Sequence, residues 1–283
     1  MKRHLVQLNV ATLRHAINDP LTKDFVDALP AVNRAGERSP GYVWRLQSDS
    51  GDATDIRVFD DPSMIVNLTV WESLDALKAF AYRGIHRDFF RRRAEWFVDG
   101  SSRTALWWVP EGVLPTTDDA KRRLDFIDVF GSSPYAFSTG QNHPALVIEH
   151  VATSDSRAAD LLRQLAGPTP ADGDGHFVIA EVDDVASACG AYRRLDATTA
   201  EIRQMYVANA AHGMRVGAAI IAELTAAAAA DGVRRMFLET WPRQLVWLEK
   251  LGFSRCSPWG EFSVSADAVC LEKTLTAENR RLA

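Results

Sequence analysis

Strand-like alternation dominates the first half of the chain. Over residues 4–12, Val6, Leu8 and Val10 fall on one side and Leu5, Gln7 and Asn9 on the other, the two-residue repeat of a β-strand. The repeat returns at residues 41–47, where Tyr42, Trp44 and Leu46 oppose Val43, Arg45 and Gln47. It returns again at 64–71, where Met64, Val66, Leu68 and Val70 oppose Ile65, Asn67, Thr69 and Trp71. Strands are also expected over 103–110 and, more weakly, over 54–59. Between them the pattern predicts a helix over 22–33 limited by Pro30, a long helix capped by Ser73, interrupted at Gly84 and running to about residue 98, and a helix over 117–130. Strand, helix, strands, helix, strand implies an α+β sheet with helices on one face.

The two strand faces differ. One is uniformly apolar and suited to pack on helices. The other collects Gln7, Asn9, Arg45, Gln47, Asn67 and Thr69 beside Ile65, Val43 and Trp71. Two readings of it stay open: a solvated sheet face, or a covered semi-polar surface such as a pocket or dimer face. Arg83, Arg87 and Arg91 recur every four residues along the long helix and read as a solvated basic stripe.

Turn formers crowd residues 131–144 and mark a domain boundary, giving a first domain over 1–138, a linker over 139–144 and a second domain over 145–283. In the second domain a strand is expected at 145–151, a helix from Ser154 or Asp155 to about residue 165, and a loop at 167–175. A hairpin follows at 176–182 and 186–195, joined through Asp183 and Asp184, and then a strand over 199–207. The turn His212-Gly213-Met214-Arg215-Val216-Gly217 opens an alanine-rich helix in which Val216, Ile220 and Leu224 recur every four residues. Another strand at 236–240, a short helix and Leu251-Gly252-Phe253 complete the unit. A strand, a glycine-bearing turn and a helix can hold a phosphate, because free amides and the helix dipole converge on the turn.

Composition narrows the class. With 283 residues, 47% apolar, 24% charged and a net charge of -5, the chain is expected to be soluble, two-domain and not a nucleic-acid binder. Its 3 cysteines form an odd set without metal-ligand spacing, which points to a reduced, cytoplasmic setting and to no metal. Gln7 and Asn9 interrupt any signal-peptide core, and the apolar run 216–230 contains Glu223 and Thr225, so it reads as a buried helix and no membrane association is expected.

Residues 4–138 resemble an uncharacterised bacterial family related to the dimeric α+β barrels of antibiotic-biosynthesis monooxygenases. The resemblance rests on Tyr42-Val43-Trp44-Arg45-Leu46-Gln47, Asn67-Leu68-Thr69-Val70-Trp71-Glu72-Ser73, Tyr82-Arg83 followed by His86, and Trp96-Phe97. It implies a ferredoxin-like dimeric barrel and a homodimer. It also implies a pocket drawn from Asn9, Arg45, Asn67, Trp71 and His86, with Asn67 and Trp71 at the spacing of a substrate-lining pair and His86 as the haem-side candidate. Leu77 stands where those monooxygenases carry a tyrosine.

The second domain resembles the GNAT (general-control-type N-acetyltransferase) superfamily. The resemblance is carried by Glu201-Ile202-Arg203-Gln204-Met205-Tyr206-Val207, the turn 212–217, Phe237-Leu238-Glu239-Thr240, Leu251-Gly252-Phe253 and Val269-Cys270-Leu271-Glu272-Lys273. It implies a mixed α/β domain that binds acetyl-CoA or another acyl-CoA. The ligand would sit on backbone groups near Met205 and Val207 and on the turn His212, Gly213, Arg215, Val216 and Gly217. Glu201 is the implied base and Tyr206 a candidate acid, with Tyr192 a second candidate. Arg215 replaces the turn's middle glycine, Leu248 stands where the family commonly has its acidic tyrosine, and Trp241 takes the place of an asparagine. The function implied is N-acylation of a small-molecule amine. The alternatives are a non-catalytic GNAT module for binding or assembly, and a bifunctional enzyme with an N-terminal monooxygenase.

Overall fold

A computed structural model describes residues 2–82, 84–152, 154–164, 175–259 and 268–275. The chain forms two compact units, Met1–Ser132 with Ala136–Asn142, and Ser133–Tyr135 with His143–Ala283. The predicted loop at 167–175 lies almost wholly outside the described residues, as do Arg83 and the side chain of His86.

The first unit is built around β1 (Arg3–Thr12). It carries α1 (Lys23–Glu37), β2 (Tyr42–Arg45), β3 (Met64–Trp71), α2 (Leu74–Ala81), α3 (Gly84–Trp96), β4 (Arg103–Pro110) and α4 (Thr117–Phe130). The sheet is antiparallel with the order β2-β3-β1-β4. The registers Val6↔Val70, Leu8↔Leu68 and Val10↔Val66 put those six side chains on one face. Ala120 and Leu124 of α4 cover them together with Trp107.

Helices do not keep to one face, as the sequence led us to expect. Leu5, Trp71 and Leu106 make an apolar patch on the opposite side, and Leu77, Leu74 and Phe80 of α2 close over it. The cause is local. Ser73 Oγ accepts from the Ala76 amide at 3.1 Å, so only Glu72 and Ser73 separate β3 from α2, which has to bury its apolar side there.

Three other expectations need correction. The β2 register slips between Tyr42 and Trp44, so Tyr42 joins the Trp71 cluster while Val43, Trp44 and Leu46 all pack on the other core. Pro30 lies inside α1, which continues to Glu37, since proline removes one helical bond without preventing the next turn. Residues 54–59 form no strand. Ser48 donates to Asp55 at 2.7 Å and Asp52 accepts from the Thr54 amide at 2.8 Å, so side chains take up the local polar groups instead.

The second unit contains β5 (Leu146–Val151), α5 (Ser156–Leu162), β6 (Gly175–Val182), β7 (Val185–Arg194) and β8 (Thr199–Val207). After these come α6 (Val216–Ala230), β9 (Arg235–Thr240), α7 (Leu245–Lys250), β10 (Ser254–Arg255) and β11 (Val269–Thr274). Its sheet has the order β10-β11-β9-β8-β7-β6-β5, antiparallel except where β8 meets β9. Asp183 and Asp184 both have positive φ (48° and 66°), the backbone a two-residue hairpin turn requires. Helix α6 is buried nearly all round. Its Glu223 accepts from the fully buried Tyr135 hydroxyl at 2.8 Å, which explains a carboxylate inside an alanine-rich helix. Among the described residues no helix is long and apolar enough to cross a membrane, and no cluster of acidic, histidine and cysteine side chains could hold a metal.

Candidate active site

Strands β8 and β9 pair only from Thr199↔Arg235 to Ile202↔Leu238. Beyond Ile202 they part, and a cavity of about 640 Å³ opens between residues 203–207 and 239–240. Helix α7 contributes Trp247 and Leu248 to its wall, α6 contributes Gly217 and Ile221, and α5 contributes Leu162.

A bulge shapes the β8 wall. Ala191 pairs with Arg203 and Cys189 with Tyr206, so Gly190 faces both Gln204 and Met205. Gln204 takes up the extra residue with φ 55°. The bulge keeps Arg203 and Tyr206 on one face although three positions separate them. It also turns Met205 toward α6, where a Cβ on Gly190 would meet Met205 Sδ and Ile220 Cγ2 at 2.6 Å. Only glycine fits there. The register shift at Gly190, opposite Gln204 and Met205, is the feature that sequence reasoning missed.

The phosphate-type turn is present. His212 Nε2 hydrogen-bonds the Val207 carbonyl at 3.0 Å, which ties the turn to the end of β8. Gly213 (φ 81°) and Arg215 (φ 62°, ψ 18°) are both left-handed, so Arg215 keeps the backbone a glycine would adopt. Its side chain is exposed. No side chain caps α6, which leaves its first amides to accept an anion. Of the residues assigned to the cofactor, Met205, Val207, His212 and Gly217 line the cavity. Gly213 and Arg215 shape the turn outside its lining, and the Val216 side chain is core, 1% exposed.

Glu201 sits one residue before the split. It is 1% exposed and is held by two guanidinium groups, with Oε2 accepting from Arg203 Nε at 2.8 Å and from Arg193 Nη2 at 3.2 Å. Its Oε1 is buried with no hydrogen-bond partner among the described residues. Glu201 does not itself line the cavity; its neighbours Ile202 and Arg203 do. Tyr206 lines it too. Tyr192 does not: its hydroxyl donates to Asp231 Oδ2 at 2.5 Å and His176 stacks on its ring, so burial and this carboxylate push its pKa up and remove it as a proton donor. Leu248, 1% exposed, has no proton to give.

The cavity also uses residues the sequence reading left out of the site. Glu239 of β9, Arg243, Gln244 and Trp247 line it, and Trp241, 54% exposed, stands at its edge. These positions follow β9 into a short helical turn, Pro242–Gln244, and only the divergence of β9 from β8 makes them face inward.

Of the candidates in the first unit, Asn9 and Asn67 are brought opposite each other on neighbouring strands, and Trp71 is taken into the core. Trp71 is 1% exposed, stacked on Phe80 with ring centroids 5.2 Å apart, and its Nε1 donates to Thr69 Oγ1 at 2.9 Å. It is a core residue that α2 covers. Asn9 Oδ1 accepts from Thr104 Oγ1 at 2.5 Å, its register partner Asn67 is exposed, and Arg45 pairs with Glu37 at 2.8 Å. The side chain of His86 lies outside the described residues.

Residues 4–153 match the family described as "Domain of unknown function (DUF3291)", and residues 146–253 match the acetyltransferase (GNAT) family. A putative acyl-CoA N-acyltransferase from Klebsiella pneumoniae is 18% identical, with 46% of this chain and 98% of that chain covered and a TM-score of 0.40. A GNAT family acetyltransferase from Elizabethkingia anophelis with acetyl-CoA bound is 17% identical over 46% and 98% of the two chains, with a TM-score of 0.38. An IAA acetyltransferase from Bacillus cereus is 18% identical over 46% and 100%, with a TM-score of 0.39. No curated protein is similar enough to match.

Proposed function

Because the chain belongs to the family described as "Domain of unknown function (DUF3291)" and carries a GNAT-fold domain in its C-terminal half, we propose that it is an acyl-coenzyme A-dependent N-acyltransferase acting in the split of the second sheet. One observation carries this reading. The cavity begins where β8 and β9 stop pairing and reaches Gly217, beside the uncapped start of α6.

The residues present fit an acyl-coenzyme A. The first amides of α6 and the left-handed turn at Gly213 and Arg215 suit a pyrophosphate, and the β8 backbone at Met205 and Val207 suits an amide-bearing arm. When bound, the group supplies a thioester carbonyl to an amine. The orphaned Glu201 Oε1 accepts the amine proton, and Arg193 and Arg203 fix its carboxylate. Backbone amides of β8 would be placed to hold the thioester carbonyl, and Tyr206, which lines the cavity, would be the group placed to supply a proton to the departing sulfur.

A second assignment of the base has its own support: Glu239 lines the cavity and Glu201 does not. Glu201→Gln and Glu239→Gln, compared by kcat, decide between them. The role of the first domain as a dimerisation or substrate-binding module stays part of the proposal. Dimerisation through the exposed part of its second sheet face, around Asn67, stays part of that proposal, whereas an oxygenase pocket at Trp71 has no support because α2 buries that residue.

The direct test is thermal unfolding with and without acetyl-CoA, followed by thiol release with a panel of amines. Saturation at a hundred times the dissociation constant stabilises by about 2.7 kcal/mol. No shift at millimolar acetyl-CoA would sink the proposal. A shift without thiol release for any amine would favour the non-catalytic module instead.

A further inference from the structure

Cys256 and Cys270 face each other where β10 meets β11. The register Ser254↔Glu272 and Arg255↔Leu271 makes Cys256 and Cys270 the next opposed pair, and the Cys256 amide donates to the Cys270 carbonyl at 3.0 Å. Opposed residues sharing such a bond have Cα atoms about 5.5 Å apart and side chains on the same face. That spacing lies inside the roughly 4.4–6.8 Å span of a disulfide. The Cβ atoms of such a pair are roughly 4.5–5.5 Å apart. A disulfide needs about 3.8 Å, so a bond here is strained and readily reduced.

Access is unequal. Cys256 is partly exposed, whereas Cys270 is 4% exposed and its sulfur accepts from the Trp259 amide. Cys189, the remaining cysteine, is fully buried on β7 with its thiol toward the Gln204 carbonyl.

We infer that Cys256 and Cys270 form a reversible cross-strand disulfide under oxidative conditions, with a peroxide or a small-molecule disulfide as oxidant. With hydrogen peroxide, the Cys256 thiolate attacks one peroxide oxygen, giving a sulfenic acid and one water. The Cys270 sulfur then displaces the second oxygen as water and the S–S bond forms. The two sulfurs lose two electrons in all, the peroxide gains them, and both thiol protons leave in the two waters.

Burial pushes the Cys256 thiol up to about 11, with Glu272 and Cys270 adding to it, so little thiolate exists at neutral pH and the rate rises toward that value. Burial also raises Cys270, with Glu239 and Glu201 contributing. Cys270 is the register partner of Glu239, and Ala268 lines the cavity, so the bond would form against the wall of the proposed active site. Its formation does not depend on acyl transfer.

The test uses the full chain, reduced and then exposed to hydrogen peroxide or oxidised glutathione at about pH 8.5. Free thiols are then alkylated and the digest is mapped by mass spectrometry. The expected result is a Cys256–Cys270 cross-linked peptide pair, alkylated Cys189 and full reversal by dithiothreitol. Cys256→Ser, at a partly exposed position, should remove the cross-link and leave the unfolding temperature of the reduced protein unchanged. Both cysteines recovered as alkylated thiols, Cys256 only as a glutathione adduct or an over-oxidised acid, or only cross-links between chains would each overturn the inference.

Discussion

The two sheets handle strand pairing in opposite ways. In the first, β1 is paired along its length on both sides, α4 covers one face and α2 covers one end of the other. Even its polar side chains support one another, as Trp71 donates to Thr69 and Thr69 donates to Gln7 at 3.0 Å. In the second, β8 and β9 pair for four residues and then part. A buried glutamate oxygen goes without a partner next to the gap. Buried polar atoms are usually satisfied, so an orphan beside a cavity points to an external partner. The first sheet is not free of orphans, since His4 Nδ1 is also buried without a partner, and the structure gives no reason for it.

The contrast can be broken by mutation, beginning with the closed sheet. Trp71→Ala should cost about 3–5 kcal/mol of stability. Acetyl-CoA binding should survive, and chemical denaturation with a parallel titration measures both. Loss of binding in the folded variant would mean that the units are not functionally separate. In the open sheet, Glu201→Gln should lower kcat by roughly 10²–10⁴ with little loss of acetyl-CoA affinity. Glu239→Gln should lower it less than tenfold; the reverse ranking moves the base to β9.

Smaller effects sharpen the picture. Gly190→Val places carbon where Met205 and Ile220 already sit, and should destabilise by about 1–3 kcal/mol while weakening acetyl-CoA binding. Burial pushes Lys273 down to about 8, from an ordinary 10.5. Between those values the unfolded chain binds more protons than the folded one, so stability should rise with pH across that window. Lys273→Met should flatten the rise and add on the order of 2 kcal/mol at neutral pH, as seen in urea midpoints. Arg215→Gly relieves a left-handed arginine and should gain about 1 kcal/mol. Calorimetric titration of that variant shows whether the arginine side chain helps or hinders acetyl-CoA.

Much of this organisation was readable from periodicity. The faces of β1 and β3, the cap at Ser73 and the turn before α6 follow from local rules that tertiary packing did not overturn. What escaped was set by contacts distant in sequence. The slips in β2 and β8 depend on the partner strand, and period counting assumes a regular pleat. The polar face near Trp71 could be read as a solvated surface or as a covered one, because nothing in β3 reveals that α2 folds back over Trp71. Glu239 and Trp247 became site candidates only once β9 was seen to diverge from β8.

The bulge at Gln204 also constrains how this sequence can change in length. A strand is a count of odd and even positions, and one extra residue swaps the two from that point on. Removing Gln204 would restore a regular ladder opposite Gly190 and leave Tyr206 on the same side of the sheet as Arg203, now two positions away. Every residue from Met205 to the turn would then keep the side it already presents. A one-residue deletion at the bulge would therefore preserve the facing of the cavity wall, whereas the same deletion in a regular part of β8 would invert every position beyond it.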